Sequence, residues 1–331
     1  MTAEAAPQPE RGERVLEVEN LRVSFPAGRG ETVSVVKGVS FGMSRGEALG
    51  IVGESGSGKT MTALSLLGLV PSPGIVQAER IVVDGIDVSE LGRRQWPAVR
   101  GKNIAMVFQD ALSGLNPVRT VGSTLVEAIR RHQDLSAEEA KKLAIRTIRS
   151  VGIPEPEARF DVYPHQLSGG LRQRVMIALA VVNRPSVVVA DEPTTALDAT
   201  IQAQILELLE ELVSDAALIL ITHDLGVAAS ICDRVAVMYA GRFVEIGPVD
   251  DVLSRPRHPY TAGLLAAVPR FERRKKALVP IAGTPPSPEE VGEWCAFAPR
   301  CPRALEKCSV ERPPLEALEG HPVACWNPVE R

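Results

Sequence analysis

Two kinds of hydrophobic pattern alternate along this chain. Short continuous apolar runs are typical of strands that are buried on both faces. They predict strands at residues 15–18, 48–52, 104–108, 187–191, 218–222 and 234–238. Longer stretches with apolar residues at helical spacing predict helices at residues 60–69, 121–131, 136–151, 169–182 and 200–213. The third of these helices starts at Ser136 and has Glu139 three positions later, the pattern of a capping box.

The order of these elements divides the chain into regions. Strands that alternate with helices predict an α/β domain with a parallel core, at residues 15–250. Helices dominate from about residue 110 to 182, which predicts a helical subdomain inserted into that domain. Residues 1–14 are polar and predict a flexible tail. After about Pro248 prolines and clustered cysteines predict a separate C-terminal extension, residues 251–331.

Composition restricts the classes of function. The formal net charge of −4 argues against a general nucleic-acid-binding protein, which is more often basic. No apolar run approaches the roughly 18 residues of a membrane span, and the first residues lack the apolar core of a signal peptide. We therefore expect a cytosolic chain whose membrane role, if it has one, is peripheral. The basic run at residues 270–276 fits a solvated surface or a contact with anionic lipid headgroups.

A phosphate-binding loop is the clearest chemical motif. Residues 53–60 read GESGSGKT, which fits G-x-x-x-x-G-K-[ST] between a predicted strand and a predicted helix. Its glycines let backbone N–H groups turn toward phosphate oxygens, Lys59 supplies a positive charge, and Thr60 supplies a hydroxyl for Mg²⁺. The candidate nucleotide-binding residues of this loop are Gly53, Ser55, Gly56, Ser57, Gly58, Lys59 and Thr60.

An acidic pair follows another buried strand. Asp191 and Glu192 come after four small apolar residues, and α/β sheets place ligands at this end of their strands. Asp191 is suited to hold Mg²⁺, and Glu192 is suited to polarise the attacking water as a general base. Gln109 and His223 also follow apolar runs. Gln109 could reach Mg²⁺ or water and His223 the γ-phosphate, although both residue types are often structural at such places.

A second helix start carries the sequence Ser168-Gly169-Gly170, midway between the phosphate loop and the acidic pair. A helix N-terminus binds anions, and one chain has no need of two for a single triphosphate. This motif therefore predicts two chains that hold ATP between them.

Together these motifs resemble the nucleotide-binding subunits of ABC transporters, over about residues 15–250. The resemblance implies a P-loop NTPase fold with a RecA-like core, an antiparallel β edge and a helical subdomain. It also implies that Ser168, Gly169 and Gly170 contact ATP on the partner's loop, with Asp198 at the dimer seam and Gln109 and His223 at the γ-phosphate. Phe25 would stack on adenine, although core packing fits its sequence position equally well. Residues 167–170, LSGG, match the signature motif of that family. Leu171 departs from the pattern, because the signature often has Gln at this position.

The tail narrows the resemblance to the oligopeptide/dipeptide group of importers. The segments that carry it are RHPYT at residues 257–261, GTPP at residues 283–286 and the spaced cysteines. This group implies uptake of peptides, or sometimes nickel. Its partners would be two permease subunits, an extracytoplasmic substrate-binding protein and a sister ATPase, and its place the cytoplasmic face of the membrane.

Four cysteines in the tail have the spacing C-x5-C-x6-C-x16-C; they are Cys295, Cys301, Cys308 and Cys325. Four thiolates can hold tetrahedral Zn²⁺ or an iron–sulfur cluster. Several members that resemble this tail hold a [4Fe–4S] cluster, so the resemblance favours the cluster over Zn²⁺ or no metal. Either metal would have a structural role.

A soluble ABC ATPase that acts in DNA repair or on ribosomes is the alternative from another class. Repair members of the structural-maintenance type need a long heptad insertion, and ribosome-acting members usually carry two cassettes. This chain has one phosphate loop and no such insertion, which favours transport.

Overall fold

The computed structural model describes residues 13–28, 31–195, 197–267, 280–318 and 321–330. Most of the predicted N-terminal tail, the basic run at residues 270–276 and Ala196 lie outside these ranges. No helix in the described part of the chain is long and apolar enough to cross a membrane.

The helices and strands occur in mixed order. The strands are β1 (Arg14–Gly28), β2 (Glu31–Ser44), β3 (Ala48–Val52), β4 (Ile75–Gln77), β5 (Arg80–Val83), β6 (Ile86–Asp87), β7 (Ile104–Val107), β8 (Val187–Asp191), β9 (Ala217–Thr222), β10 (Arg234–Tyr239), β11 (Arg242–Pro248), β12 (Glu316–Leu318) and β13 (His321–Val323). The helices are α1 (Lys59–Leu66), α2 (Trp96–Val99), α3 (Ala111–Gly114), α4 (Val121–His132), α5 (Ala137–Ser150), α6 (Pro156–Arg159), α7 (Gly169–Val181), α8 (Ala199–Leu212), α9 (Leu225–Ile231), α10 (Val249–Ser254) and α11 (Pro259–Ala267).

The described strands form two sheets. The larger has the order β12-β13-β11-β10-β3-β9-β8-β7, and its strands β10, β3, β9, β8 and β7 run parallel. In the smaller, antiparallel sheet, β1 lies between β2 and β5, β4 pairs with β1, and β6 follows β5. The predicted α/β fold with a parallel core and an antiparallel β edge is confirmed.

The parallel strands are apolar on both faces because a core lies on each side of the sheet. Val187 and Val189 of β8 belong to a core shared with β1 and β2. Val188 and Ala190 point the other way, into the core that contains the helices. This alternation follows from the two-residue period of a strand. It accounts for the continuous apolar runs in the sequence.

The helical subdomain packs around α7. Buried residues of α4 and α5, among them Leu125, Ile129 and Ile148, join the same hydrophobic core as α7. The predicted capping box of α5 is confirmed: Ser136 Oγ accepts a hydrogen bond from Glu139 N, and the Glu139 carboxylate accepts one from Ser136 N. These bonds satisfy two N–H groups that a helix start would otherwise leave unpaired.

The C-terminal extension is built into the larger sheet. Its strand β13 pairs with β11, and its Tyr260 is fully buried in the main core. Glu245 of β11, completely buried, accepts hydrogen bonds from the backbone N–H groups of Arg257 and His258 and lies 2.7 Å from His321 Nε2. Proline-rich composition after Pro248 therefore marks a change of local structure within one packed unit.

Candidate functional site

The phosphate loop lies between the carboxyl end of β3 and the start of α1. Gly58 has a φ of +106°, and a Cβ atom there would lie 2.8 Å from Val35 O. A Cβ atom on Gly53 would lie only 2.2 Å from Met238 O. Only glycine fits at these two positions, because the loop passes so close to neighbouring backbone. The loop is thereby fixed in its turn before α1.

Lys59 and Thr60 lie at the first turn of α1. Lys59 Nζ donates hydrogen bonds to the carbonyl oxygens of Gly53 (2.8 Å) and Glu54 (3.0 Å), and burial lowers the pKa of its ammonium group. Thr60 Oγ1 lies 3.3 Å from Asp191 Oδ1, and burial raises the pKa of Asp191. A hydroxyl and a carboxylate at this spacing, both oxygen donors, fit the ligands that Mg²⁺ prefers.

Glu192 is the centre of a hydrogen-bonding group at the carboxyl edge of the parallel sheet. Its Oε2 accepts hydrogen bonds from Gln109 Nε2 (3.1 Å) and Thr195 Oγ1 (2.9 Å). Its Oε1 lies 3.1 Å from His223 Nδ1. The predicted residues Gln109 and His223 thus meet Glu192 because β7, β8 and β9 are adjacent parallel strands that end at the same edge.

The environment of Glu192 favours the charged form of its carboxylate. Burial acts to raise its pKa, but the hydrogen bonds from His223 and Thr195 outweigh burial, so the pKa of Glu192 is lowered. The carboxylate is therefore ionised at neutral pH. Its backbone has a φ of +44°, a conformation that costs energy in a residue with a side chain and that is often found at functional sites. The side chain of His223 is 64% exposed, so its ring is accessible from solvent.

The signature residues group with Asp198. Ser168 is the N-cap of α7, and its Oγ accepts a hydrogen bond from Leu171 N at 3.4 Å. A Cβ atom on Gly169 would meet Leu197, and one on Gly170 would meet Ile201. Asp198 is the N-cap of α8, where its Oδ1 accepts hydrogen bonds from the N–H groups of Thr200 and Ile201. The starts of α7 and α8 therefore form one surface.

Phe25 and Leu171, two further positions that the sequence singled out, are both half-buried. Phe25 lies on β1 and is half-buried against the core that β1 and β2 share with the parallel sheet. Its ring edge lies beside Gly74. Its predicted role at adenine stays a prediction. Leu171 is half-buried and packs against the main core, so an apolar residue is accommodated there.

Cys325 lies near the other three tail cysteines. Burial raises the pKa of Cys325 to about 11, and the nearby thiols of Cys301, Cys295 and Cys308 add to this. The N–H of Asn327 donates to Cys325 Sγ at 3.4 Å. Across the described ranges, however, no group of three His, Cys, Asp or Glu side chains is arranged to hold a metal ion.

Three residues at this site are not among those predicted from the sequence. Thr195 lies three positions after Glu192, and its hydroxyl near the acidic pair was the one available signal. Tyr260 and Arg300 contact Glu54 of the phosphate loop from the C-terminal extension. Nothing in the pattern of the chain links positions so distant in sequence.

The fold and the carboxylate edge of this site define an ATP-hydrolysing cassette, and comparisons with known proteins agree. The family model described as ABC transporter matches residues 36–195, and the model described as the C-terminal region of oligopeptide/dipeptide transporters matches residues 244–308. The dipeptide transport ATP-binding protein DppD of Bacillus subtilis is 48% identical over 318 residues, with 95% of each chain covered. The oligopeptide transport ATP-binding protein OppD of Salmonella typhimurium is 46% identical, with 99% of this chain and 98% of the relative covered.

A solved structure has the same fold. It is a dimeric ATP-binding cassette in a post-hydrolysis state, bound to ADP and Pi, with a TM-score of 0.61 and 28% sequence identity. The match covers 71% of this chain and 98% of that one. The chain belongs to the ABC transporter family, among the ATP-hydrolysing subunits of the oligopeptide/dipeptide group. The resemblance predicted from the sequence is confirmed, whereas the predicted iron–sulfur cluster gains no support from these comparisons.

Proposed function

We propose that this chain is the ATP-binding and ATP-hydrolysing subunit of a peptide importer, and that it drives uptake through membrane permease partners. One observation carries the hydrolytic part of this proposal: Glu192 lies between Gln109, Thr195 and His223, one residue after Asp191. The peptide part is supported by the relatives, which are dipeptide and oligopeptide transport ATP-binding proteins.

The phosphate loop is the proposed triphosphate site. Its backbone N–H groups and the N-terminus of α1 favour anions, and the Lys59 ammonium would exchange its carbonyl partners for phosphate oxygens. Residues Ser55, Gly56 and Ser57 would contribute further N–H or hydroxyl donors. Thr60 and Asp191, together with Gln109, would hold Mg²⁺, which neutralises developing phosphate charge when it is bound.

Glu192 would accept a proton from the attacking water. Thr195 and Gln109 fix one carboxylate oxygen, and His223 is adjacent to the other. Because these contacts hold both oxygens, the carboxylate is oriented before substrate binds. His223, which is exposed, is placed to turn toward the γ-phosphate.

Two subunits would close on ATP in a head-to-tail manner. The surface formed by Ser168, Gly169, Gly170 and Asp198 would face the partner's phosphate loop. The N-terminus of α7 supplies the favourable dipole end for the partner's γ-phosphate. The dimeric post-hydrolysis structure of a cassette with the same fold supports a pair of subunits. The partner is a second copy or a sister ATPase.

The remaining partners follow from the transporter group. Two permease subunits would bind the helical subdomain, which would place this chain peripherally on the cytoplasmic face of the membrane. An extracytoplasmic substrate-binding protein would act through the permeases, and nucleic acid has no role. ATP binding and hydrolysis at the phosphate loop would then move the helical subdomain and change the conformation of the permeases.

Transport assays test the substrate class. In proteoliposomes with its permeases, sister ATPase and binding protein, we expect ATP hydrolysis to rise several-fold when a di- or oligopeptide is bound to the binding protein. Labelled peptide should accumulate inside, whereas labelled nickel should not. The same vesicles with a catalytically inactive chain provide the control. Stimulation by nickel alone would assign the importer to nickel.

The four tail cysteines are the proposed ligands of a [4Fe–4S] cluster, with Zn²⁺ as the alternative. The N–H groups that donate to Cys325 Sγ and Cys308 Sγ support these thiols as ligands, because thiolates that bind metal usually accept such hydrogen bonds. Bound metal would supply a structural cross-link between the segments that carry these thiols.

Metal analysis tests the cluster. Protein purified without oxygen should be brown and contain iron and sulfide in equal amounts, and Cys301→Ser should lose both. Cys232→Ser is the matched control, because Cys232 is buried beside Gly50, away from the tail. One zinc per chain, or neither metal, would contradict the cluster.

A further inference from the structure

A buried ion pair joins the C-terminal extension to the phosphate loop. Arg300 Nη1 lies 2.6 Å from Glu54 Oε2, and Arg300 Nη2 lies 3.0 Å from Glu54 Oε1. The two parallel contacts form the bidentate geometry that guanidinium and carboxylate groups favour. The Arg300 side chain is only 4% exposed and the Glu54 side chain 27%, so solvent reaches this pair only from the Glu54 side. The partners are 246 positions apart in sequence.

Glu54 is held through its backbone as well. Its N–H donates a hydrogen bond of 2.8 Å to the hydroxyl of Tyr260, which is fully buried. Its carbonyl oxygen accepts a hydrogen bond from Lys59 Nζ. When the Lys59 ammonium turns to phosphate, that bond is lost, and Tyr260 and Arg300 continue to fix this residue together with the N–H of Ser57, which donates to the same carbonyl at 3.2 Å.

Arg300 is itself held in one orientation. Its Nε donates to Ala282 O at 2.9 Å, and its Nη1 donates to the hydroxyl of Tyr239 at 3.2 Å. Its guanidinium also lies 5.8 Å from the centre of the Tyr239 ring and 5.9 Å from that of Phe297. Little side-chain freedom remains to be lost, so the arginine is pre-organised for its carboxylate.

The charge of Glu54 explains why this pair matters for ATP. A carboxylate in a loop that receives a triphosphate repels the ligand, and the repulsion is strong where water is scarce. Arg300 neutralises that carboxylate from the side of the extension. Without the arginine, the loop would keep its shape less well and would present an unpaired negative charge next to the phosphate site.

We propose that Arg300 and Tyr260 are positioning residues for the phosphate loop, and that through Glu54 the C-terminal extension sets the affinity for ATP. The proposal depends on the proposed role of residues 53–60 in ATP binding. Neither side chain would touch the reacting atoms. The effect therefore falls on the KM and Kd for ATP far more than on kcat.

The sharpest test removes the charge of Arg300 and then that of its partner Glu54. In the full-length chain, Arg300→Gln should raise the Kd for MgATP and the KM about tenfold, while kcat changes less than about threefold. The double variant Glu54→Gln/Arg300→Gln should recover most of the lost affinity, because the uncompensated charge is gone. Arg300→Lys should fall between the wild type and Arg300→Gln, since it keeps charge but loses the bidentate geometry.

Two further variants separate this role from general stability of the tail. Arg303→Gln removes an arginine of the same extension that bonds Asn327 and Pro328, and it should leave the KM for ATP unchanged. Tyr260→Phe removes only the hydroxyl, and it should raise the KM for ATP a few-fold. It carries the test if Arg300→Gln does not fold, as judged by thermal unfolding.

The outcomes distinguish the two proposals. An unchanged ATP affinity in Arg300→Gln or, where that variant does not fold, in Tyr260→Phe, or a double variant as weak as Arg300→Gln, overturns the positioning role. Tight ATP binding by Lys59→Ala would instead overturn the assignment of the phosphate loop itself. If Lys59→Ala binds ATP weakly and Arg300→Gln binds it normally, residues 53–60 remain the ATP site and the positioning role of Arg300 is rejected.

Discussion

Glu192→Gln is expected to remove almost all ATP hydrolysis while ATP still binds. The amide keeps the size of the carboxylate and can still accept hydrogen bonds from Thr195 and Gln109. It cannot accept a proton from water, and loss of a general base typically costs 10²–10⁴-fold in rate, about 3–5 kcal/mol in the barrier. Because ATP is not consumed, we expect the two-subunit ATP-bound state to accumulate.

Phosphate release and size-exclusion chromatography with MgATP measure these two effects. Glu207→Gln is the matched control, because Glu207 lies on the exposed side of α8 and its replacement should leave turnover unchanged. Turnover that persists at the wild-type rate in Glu192→Gln would remove Glu192 as the base. The proton acceptor would then have to be sought elsewhere at the same edge of the sheet.

Lys59→Ala is expected to abolish ATP binding at micromolar nucleotide. Lys59 is buried at the start of α1, its pKa is lowered chiefly by burial, and its ammonium group is already directed at the loop by the carbonyls of Gly53 and Glu54. Charge-assisted contacts to phosphate in so dry a place contribute roughly 3 kcal/mol or more, which corresponds to a loss of affinity of about 100-fold.

Displacement of a fluorescent ATP analogue measures the loss. Lys142→Ala provides the comparison, because that lysine is exposed on α5 and pairs with Glu138 one turn earlier. Its substitution should leave the Kd for ATP unchanged. If Lys59→Ala binds ATP as tightly as the wild type, residues 53–60 are not the triphosphate site.

Much of the central fold could be predicted because its signals are local. The apolar runs predict β3 and β8 with their observed bounds, since both strands are buried on two faces. The strands β1 and β2 were largely missed. Both continue far beyond any apolar run and carry many polar, partly exposed positions, so their pairing with each other sustains them.

The candidate site divides in the same way. The grouping of Gln109, Glu192 and His223 could be expected, because each follows a strand of a parallel sheet and such strands end at one edge. The contacts of Thr195 with Glu192 and of Arg300 with Glu54 could not. Both contacts depend on the path of the chain outside the strands, and packing decides that path.

The chemistry of the phosphate loop and of the acidic edge is readable from local motifs, since the glycines and lysine of the loop, and likewise the two carboxylates, lie within a few residues of each other. What holds that loop in place depends instead on long-range packing. Tyr260 and Arg300 reach Glu54 because β13 adds the tail to the main sheet, and because Tyr239, Phe297 and Tyr260 bury their rings together. Burial of aromatic surface, which has no signature in the spacing of the chain, thus brings a distant arginine to the phosphate loop.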